Sequence, residues 1–260
     1  MKRAQRASTS AKSLLLFWNV FAISLGFMQF GVGMASWSNT QDAWSRYFQW
    51  SPDDATFWGD VLQSINIAGA AIGALSCSSL LNKSRLQVLL MLNLILCVGV
   101  GISLIGLHVY IMAIGRFLWG IGYGAFSVLC AKFVNEITPI ELLGPYGAMT
   151  SVSLTLGAAI PCSFALAYPT NISDKEYLQY DFWTEQYFRI TWSVPLLISF
   201  VQVLLITCVF RNESPVYLKE QNREEDIVRV LNKFYQPFEV QRRLEILNND
   251  ASVKEGSQEA

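Results

Sequence analysis

Charged side chains occur along this chain in clusters, and the stretches between the clusters are long and apolar. None lies between Lys12 and Asp42, Asp60 and Lys83, Arg85 and Arg116, Glu141 and Asp174, or Arg189 and Arg211. Each gap exceeds the roughly 18 to 20 residues that a helix needs to cross the hydrocarbon of a bilayer. A sixth segment, Val109 to Val134, is interrupted only by Arg116 and Lys132. The pattern predicts an all-α membrane protein with six transmembrane helices, at Ser13–Ser36, Phe57–Leu81, Leu86–Leu107, Val109–Val134, Leu142–Ala167 and Ile190–Phe210. A soluble fold would have to bury five long charge-free helices within 260 residues, which excludes that class.

The apolar run after Lys12 is too long for the hydrophobic part of a signal peptide. It is followed by Trp37 and Trp44 rather than a small-residue cleavage site, so it reads as a retained helix. The domain division that follows is a short N-terminal segment (1–12), a six-helix bundle (13–210), amphipathic helices (211–247) and a disordered tail (248–260). In the third region, Ile227, Val228, Val230, Leu231 and Phe234 recur at helical spacing among charges, and Val240 to Leu247 forms a second such stretch.

Charge sets the orientation. Lys2, Arg3, Arg6 and Lys12 precede the first helix, and Lys83 and Arg85 sit in the turn between the second and third. Asp42, Asp53 and Asp54 lie in one loop of the opposite side, and Asp174, Glu176, Asp181 and Glu185 in the other. Excess Lys and Arg marks the cytoplasmic face, so both termini are expected there in an integral multi-pass protein.

Composition changes the picture in three respects. Hydrophobic residues make up 52% and charged residues 15%, against about 25% charged in soluble domains. The net charge of -1 supplies no basic field, so the expected partner is the lipid bilayer and not nucleic acid. The 8 Trp are expected at the lipid–water boundary. Five cysteines, odd in number and all in apolar runs, form no CxxC pair, and His108 is the sole histidine. No metal or other cofactor is expected. With no phosphate-binding loop, HExxH or GxSxG, the chain is not expected to be an enzyme.

Arg116 is the sharpest chemical signal. A charge inside a membrane helix costs at least about 2.5 kcal/mol unless it meets water or a partner, so it faces the bundle interior or else snorkels out to water. Arg85, Glu136 and Glu213 form a second group at helix ends; they are either paired across elements or merely solvated. Gly69 and Gly73, and Gly120 and Gly124, are four residues apart, a spacing for close helix packing or for a backbone lining a path. Asn66 and Asn93 suit hydrogen bonds between helices. Asn171-Ile172-Ser173 is an N-glycosylation sequon.

Four stretches carry a resemblance. Gly115-Arg116-Phe117, Gly120, Gly124, Glu136, Pro139 and Gly144 form one. Glu213-Ser214-Pro215 with Tyr217-Leu218 and Asn222-Arg223 form another. Leu25-Gly26 with Gln29-Phe30-Gly31, and the turn Asn82-Lys83-Ser84-Arg85, complete the set. In that order they resemble the amino-terminal six-helix half of the sugar porters of the major facilitator superfamily, over residues 13 to about 235. The resemblance implies a transporter of a small polar, sugar-like solute by alternating access between two six-helix halves. This chain would then pair with a second half, a second copy or a full-length relative. Gln29, Phe30, Asn66, Arg116 and Ser151 are the implied substrate-path residues, and Arg85, Glu136 and Glu213 the implied cytoplasmic gate.

Departures from the family pattern refine this. In proton-coupled relatives the arginine of helix 4 faces a helix-1 aspartate. Gly33 holds that position here, and helix 1 has no carboxylate, so facilitated diffusion is implied. Leu143, Val216 and Ser84 replace residues of the family's gate, which implies a weaker latch. Ser151 stands for a glutamine. In an unpaired half, Gln29, Asn66 and Arg116 would face lipid or a closed gap, so Arg116→Leu is expected to raise the yield of the isolated chain. A second reading of another class is a non-transporting half that binds or regulates a full-length relative.

Overall fold

The computed structural model describes residues 2–166, 182–235 and 240–246, with side chains from Lys12 onward and from Phe188 onward in the first two stretches. The elements are α1 (Lys2–Tyr47), α2 (Pro52–Leu80), α3 (Arg85–Ile105), α4 (Val109–Ile137) and α5 (Leu143–Ala165, after a 3-10 turn at Ile140–Leu142). Then come α6 (Phe182–Leu204, continued by a π turn at Leu205–Val209), α7 (Pro215–Glu220), α8 (Glu224–Phe234) and α9 (240–246). Six of these helices are long and apolar enough to span a membrane, as the charge gaps predict. The described residues contain no strand. The sequon, most of the second acidic loop and the terminal tail lie outside the described residues.

Helices α1, α2, α4 and α6 run past their predicted limits, α1 at both ends; the C-terminal end of α1 and the start of α2 show why. Residues 37–47 were expected in a loop, yet α1 continues through them to Tyr47. No Gly or Pro interrupts this stretch, and Trp37, Ala43 and Trp44 are buried, so tertiary packing prolongs a helix whose apolar window has ended. α2 starts at Pro52 rather than Phe57. The Ser51 hydroxyl caps it by accepting the Asp54 N–H at 3.2 Å, and Pro52 occupies the first helical turn.

α4 is the centre of the bundle, with Trp119, Tyr123, Phe126, Leu129 and Phe133 all buried. α2 and α3 pack on it, and α1 lies between α4 and α5. The small residues explain how close these helices come. A Cβ added at Gly124 would stand 2.1 Å from the Ala70 carbonyl oxygen, and one at Gly157 would stand 2.0 Å from that of Met28. Backbone meets backbone on both seams, the packing use of such spacing. Outward faces of α3 and α6 are apolar, with Leu94 and Phe200 both 66% exposed, as lipid contact requires.

Beyond the spans, α7 and α8 cover one end of the bundle. α8 buries Ile227, Val230, Leu231 and Phe234, one face of an amphipathic helix. The Tyr235 hydroxyl donates to the Ile137 carbonyl at 3.2 Å, and Lys12 Nζ donates to the Tyr235 carbonyl at 2.7 Å. These bonds tie the cap to α4 and α1.

Candidate functional site

Three polar centres lie at different depths in the bundle. The first is beneath the α7–α8 cap. Arg85, at the first turn of α3, meets Glu136, near the end of α4, through two bonds of 3.1 Å each, Nε to Oε2 and Nη2 to Oε1. This bidentate geometry is the strongest that the two groups can form. Arg85 Nη1 also donates to the carbonyls of Leu81 and of Lys83, the latter at 3.1 Å. The Ser214 hydroxyl donates to Glu136. Glu213 accepts the Arg85 N–H at 3.0 Å, the Ser214 N–H at 2.9 Å and the Ser84 hydroxyl. All three sequence-predicted gate residues therefore meet at one node that joins α3, α4 and the start of α7.

Of the two alternatives for these charges, the structure has the paired one. Arg85 and Glu136 are buried, so parting them exposes a desolvated pair and costs more than the roughly 0 to 1 kcal/mol of surface bridges. One sequence expectation needs correction. Ser84, counted as a loss because it replaces glycine, supplies a bond to Glu213 and caps α3 by accepting the Gln87 N–H at 3.3 Å. Its side chain could not be credited until Glu213, 129 residues away in sequence, was in place.

The second centre lies mid-bundle among α1, α3 and α6. Gln29 Nε2 donates to Asn93 Oδ1 at 3.2 Å and to Gln202 Oε1 at 3.0 Å, while its Oε1 accepts the Ser199 hydroxyl at 3.1 Å. Asn93 Nδ2 donates to the same Gln202 oxygen at 3.1 Å, and Gln202 Nε2 reaches the Ala22 carbonyl at 3.0 Å. Every polar atom of the Gln29 amide is engaged within the protein. Sequence reasoning missed Ser199 and Gln202, although two polar residues three apart in a charge-free span were a usable signal.

The third centre surrounds Arg116 at the end of the bundle away from the cap. Its guanidinium carbon lies 4.8 Å from the Trp37 ring centroid, 5.4 Å from Trp192 and 5.7 Å from Trp119. Nε donates to the Leu62 carbonyl at 3.2 Å and Nη2 to Gln63 Oε1 at 3.1 Å, while Nη1 has no hydrogen-bond partner among the described residues. The residue is 0% exposed, so the snorkelling alternative does not hold. Trp37, Trp44, Trp119 and Trp192 are likewise buried, contrary to the expectation that the tryptophans sit at the lipid boundary. Their rings face a cation and each other, a use of indole that composition cannot distinguish from an interfacial one.

One turn deeper, Asn66 Nδ2 donates to the Arg116 carbonyl at 2.9 Å, and the Tyr123 hydroxyl donates to Asn66 Oδ1. A Cβ at Gly33 would stand 2.7 Å from the Tyr123 ring. The place where a helix-1 carboxylate would begin is thus filled by an aromatic side chain. Phe30 is half-buried and meets Tyr123 edge-on at 5.1 Å. Ser151 is exposed on α5.

Gln29, Asn66 and Arg116 therefore face neither lipid nor a gap, since each is bonded inside this bundle. That removes the physical reason for expecting Arg116→Leu to raise the yield.

Over residues 9–258 the chain matches the family model described as "Sugar (and other) transporter". The chain belongs to this sugar transporter family. Hexose transporter 1 of Plasmodium knowlesi is 23% identical over 245 residues, which are 92% of this chain and 49% of that protein. The glucose transporter GlcP of Staphylococcus epidermidis is 24% identical, over 79% of this chain and 43% of its own length. Among solved structures, the major facilitator superfamily proton:xylose symporter XylE, bound to 6-bromo-6-deoxy-D-glucose, superposes with a TM-score of 0.80 at 17% identity. It covers 95% of this chain and 56% of its own. The fold is that of the major facilitator superfamily, and the chain spans about half the length of the relatives that it matches.

Proposed function

We propose that this protein takes part in the facilitated transport of a small, sugar-like polar solute across a membrane. The family supports the solute class, as do relatives named for hexose and glucose. One observation carries the facilitated mode. Arg116 is held by ring faces, a carbonyl and an amide, and the Tyr123 ring occupies the space beside Gly33. Proton coupling requires a group that gains and loses a proton as the carrier turns over, and none of these partners does so near neutral pH.

The path lies on the side of α1 and α5 that carries Phe30 and Ser151, with Gln29, Asn66 and Arg116 fixing the helices behind it. A ring and a hydroxyl match the apolar and polar faces of a sugar. A second six-helix unit, whether covalently continuous or a separate chain, completes the cavity; relatives of twice this length support that reading. The division into a six-helix bundle followed by amphipathic helices belongs to this reading, with the α7–α9 segment cytoplasmic together with both termini. In that orientation the Arg85–Glu136–Glu213 node is an inner latch.

The test is uptake of radiolabelled hexoses and pentoses into liposomes containing the purified protein, with and without an inward proton gradient. Solute should equilibrate at the same rate and final level in both. Accumulation above equilibrium that an uncoupler abolishes would refute the facilitated mode. Absence of saturable uptake for every sugar, from this chain assembled with its second six-helix unit, would refute the transport reading.

A further inference from the structure

Four helices converge on a single cation in the Arg116 centre, and among the described residues no carboxylate contributes. Trp37 comes from α1, Trp119 from α4 and Trp192 from α6, while α2 contributes the Leu62 carbonyl and Gln63. Two of the three indoles are held in orientation by their own N–H groups. Trp37 Nε1 donates to the Gly59 carbonyl at 3.1 Å, and Trp192 Nε1 donates to Thr40 Oγ1 at 2.8 Å. Rings continue outward from the cage. Trp44 lies 5.0 Å from Trp192 and 4.6 Å from Phe188, and it stacks on Phe48, which stacks on Trp50.

We propose that Arg116 with Trp37, Trp119 and Trp192 forms a cation–π clamp that fixes the far ends of α1, α2, α4 and α6 as one rigid unit. Arg116 is a positioning residue in this assignment, and the three tryptophans are its counter-groups. A guanidinium out of contact with water must be stabilised by something in the protein. The two hydrogen bonds leave Nη1 without an acceptor among the described residues, and the ring quadrupoles supply negative potential around the guanidinium. The clamp also accounts for α1 continuing past Ser36 as far as Thr40. Trp37 and the Thr40 anchor of Trp192 lie on the segment beyond Ser36, so that segment must be helical for the cage to close. The assignment holds whatever the solute is.

Ring electrostatics can be changed almost without changing ring size by placing mono-, di-, tri- and tetrafluorotryptophan at one position. At Trp37 or Trp192, melting temperature should fall stepwise with fluorine number, by roughly 2–4 °C across the series. The same series at Trp58, which lies against Tyr110 and Phe57, should show no such slope. Repeating the Trp192 series in Arg116→Met should abolish the slope; if that variant does not fold, the comparison with Trp58 decides. A flat series at both Trp37 and Trp192, or a slope equal to that at Trp58, would show that the indoles act only by filling space and would overturn the assignment.

Discussion

Arg85 and Arg116 are both buried, each near one end of the same bundle, and each ties several elements together. They are stabilised in opposite ways. Arg85 meets a carboxylate in a bidentate pair, surrounded by further polar groups from α7 and its approach. Arg116 meets three aromatic faces, one carbonyl and one amide. A bidentate ion pair depends steeply on geometry and is lost when the helices part, so it suits a contact that opens and closes where water enters to solvate both groups as they separate. Ring faces attract a cation over a broader range of positions and are themselves packed apolar surface, which suits a contact that stays shut. Under the proposed transport function, the difference would make the Arg85 end the one that switches and the Arg116 end the one that stays fixed.

The largest test of the contrast is Glu136→Ala. It should leave the Arg85 charge buried without its counterion, at a cost of about 3–5 kcal/mol, measurable as early thermal unfolding in detergent. The paired change Arg85→Met with Glu136→Met should recover most of that loss, since an apolar pair of similar volume needs no desolvation. Failure to recover would mean that Arg85 matters chiefly through its carbonyl contacts.

Arg116→Met comes next. It should destabilise by about 2 kcal/mol, the scale of a desolvated cation–π contact, and lower the yield. A more stable variant would show that the cation burdens the bundle and would erase the contrast between the two ends.

Gly33→Asp tests whether the fixed end could be made to titrate. Its Cβ collides with the Tyr123 ring, so stability should fall by about 1–3 kcal/mol from overpacking, seen as earlier thermal unfolding. The double variant with Tyr123→Ala opens the space. Proton-dependent uptake in the double variant, absent from Gly33→Asp alone, would confirm that the tyrosine ring excludes a carboxylate there. Identical behaviour in the two would contradict it.

The smallest effect is expected from Ser84→Ala, about 1 kcal/mol for a lost helix cap and its bond to Glu213. Circular dichroism melts would check it. A null result would leave Glu213 depending on the backbone donors of Arg85 and Ser214 alone.

How far the site was legible in the sequence differs between the two ends. Arg85, Glu136 and Glu213, at helix ends, could be placed together by resemblance, since they belong to recognisable motifs. The Arg116 cage could not, because its rings come from positions 37, 119 and 192 and belong to no local pattern. Gln29 had the right chemistry for a sugar contact and the right helix, yet its amide is fully engaged by α3 and α6. Which face of α1 it occupies depends on the packing of three helices, not on residue type.

By itself the sequence determined the class of molecule and the number of spans. A charge inside hydrocarbon costs so much that its absence over twenty residues is diagnostic, and the segment that carries it needs no partner to be recognised. It also determined the amphipathic cap, because helical spacing is a local property. Tertiary structure alone decided where α1 ends, which arginine meets a carboxylate and which meets indoles, and that Tyr123 fills the space beside Gly33. Those outcomes depend on contacts between residues tens to more than a hundred positions apart. The energy of such contacts exists only once the helices have chosen their neighbours.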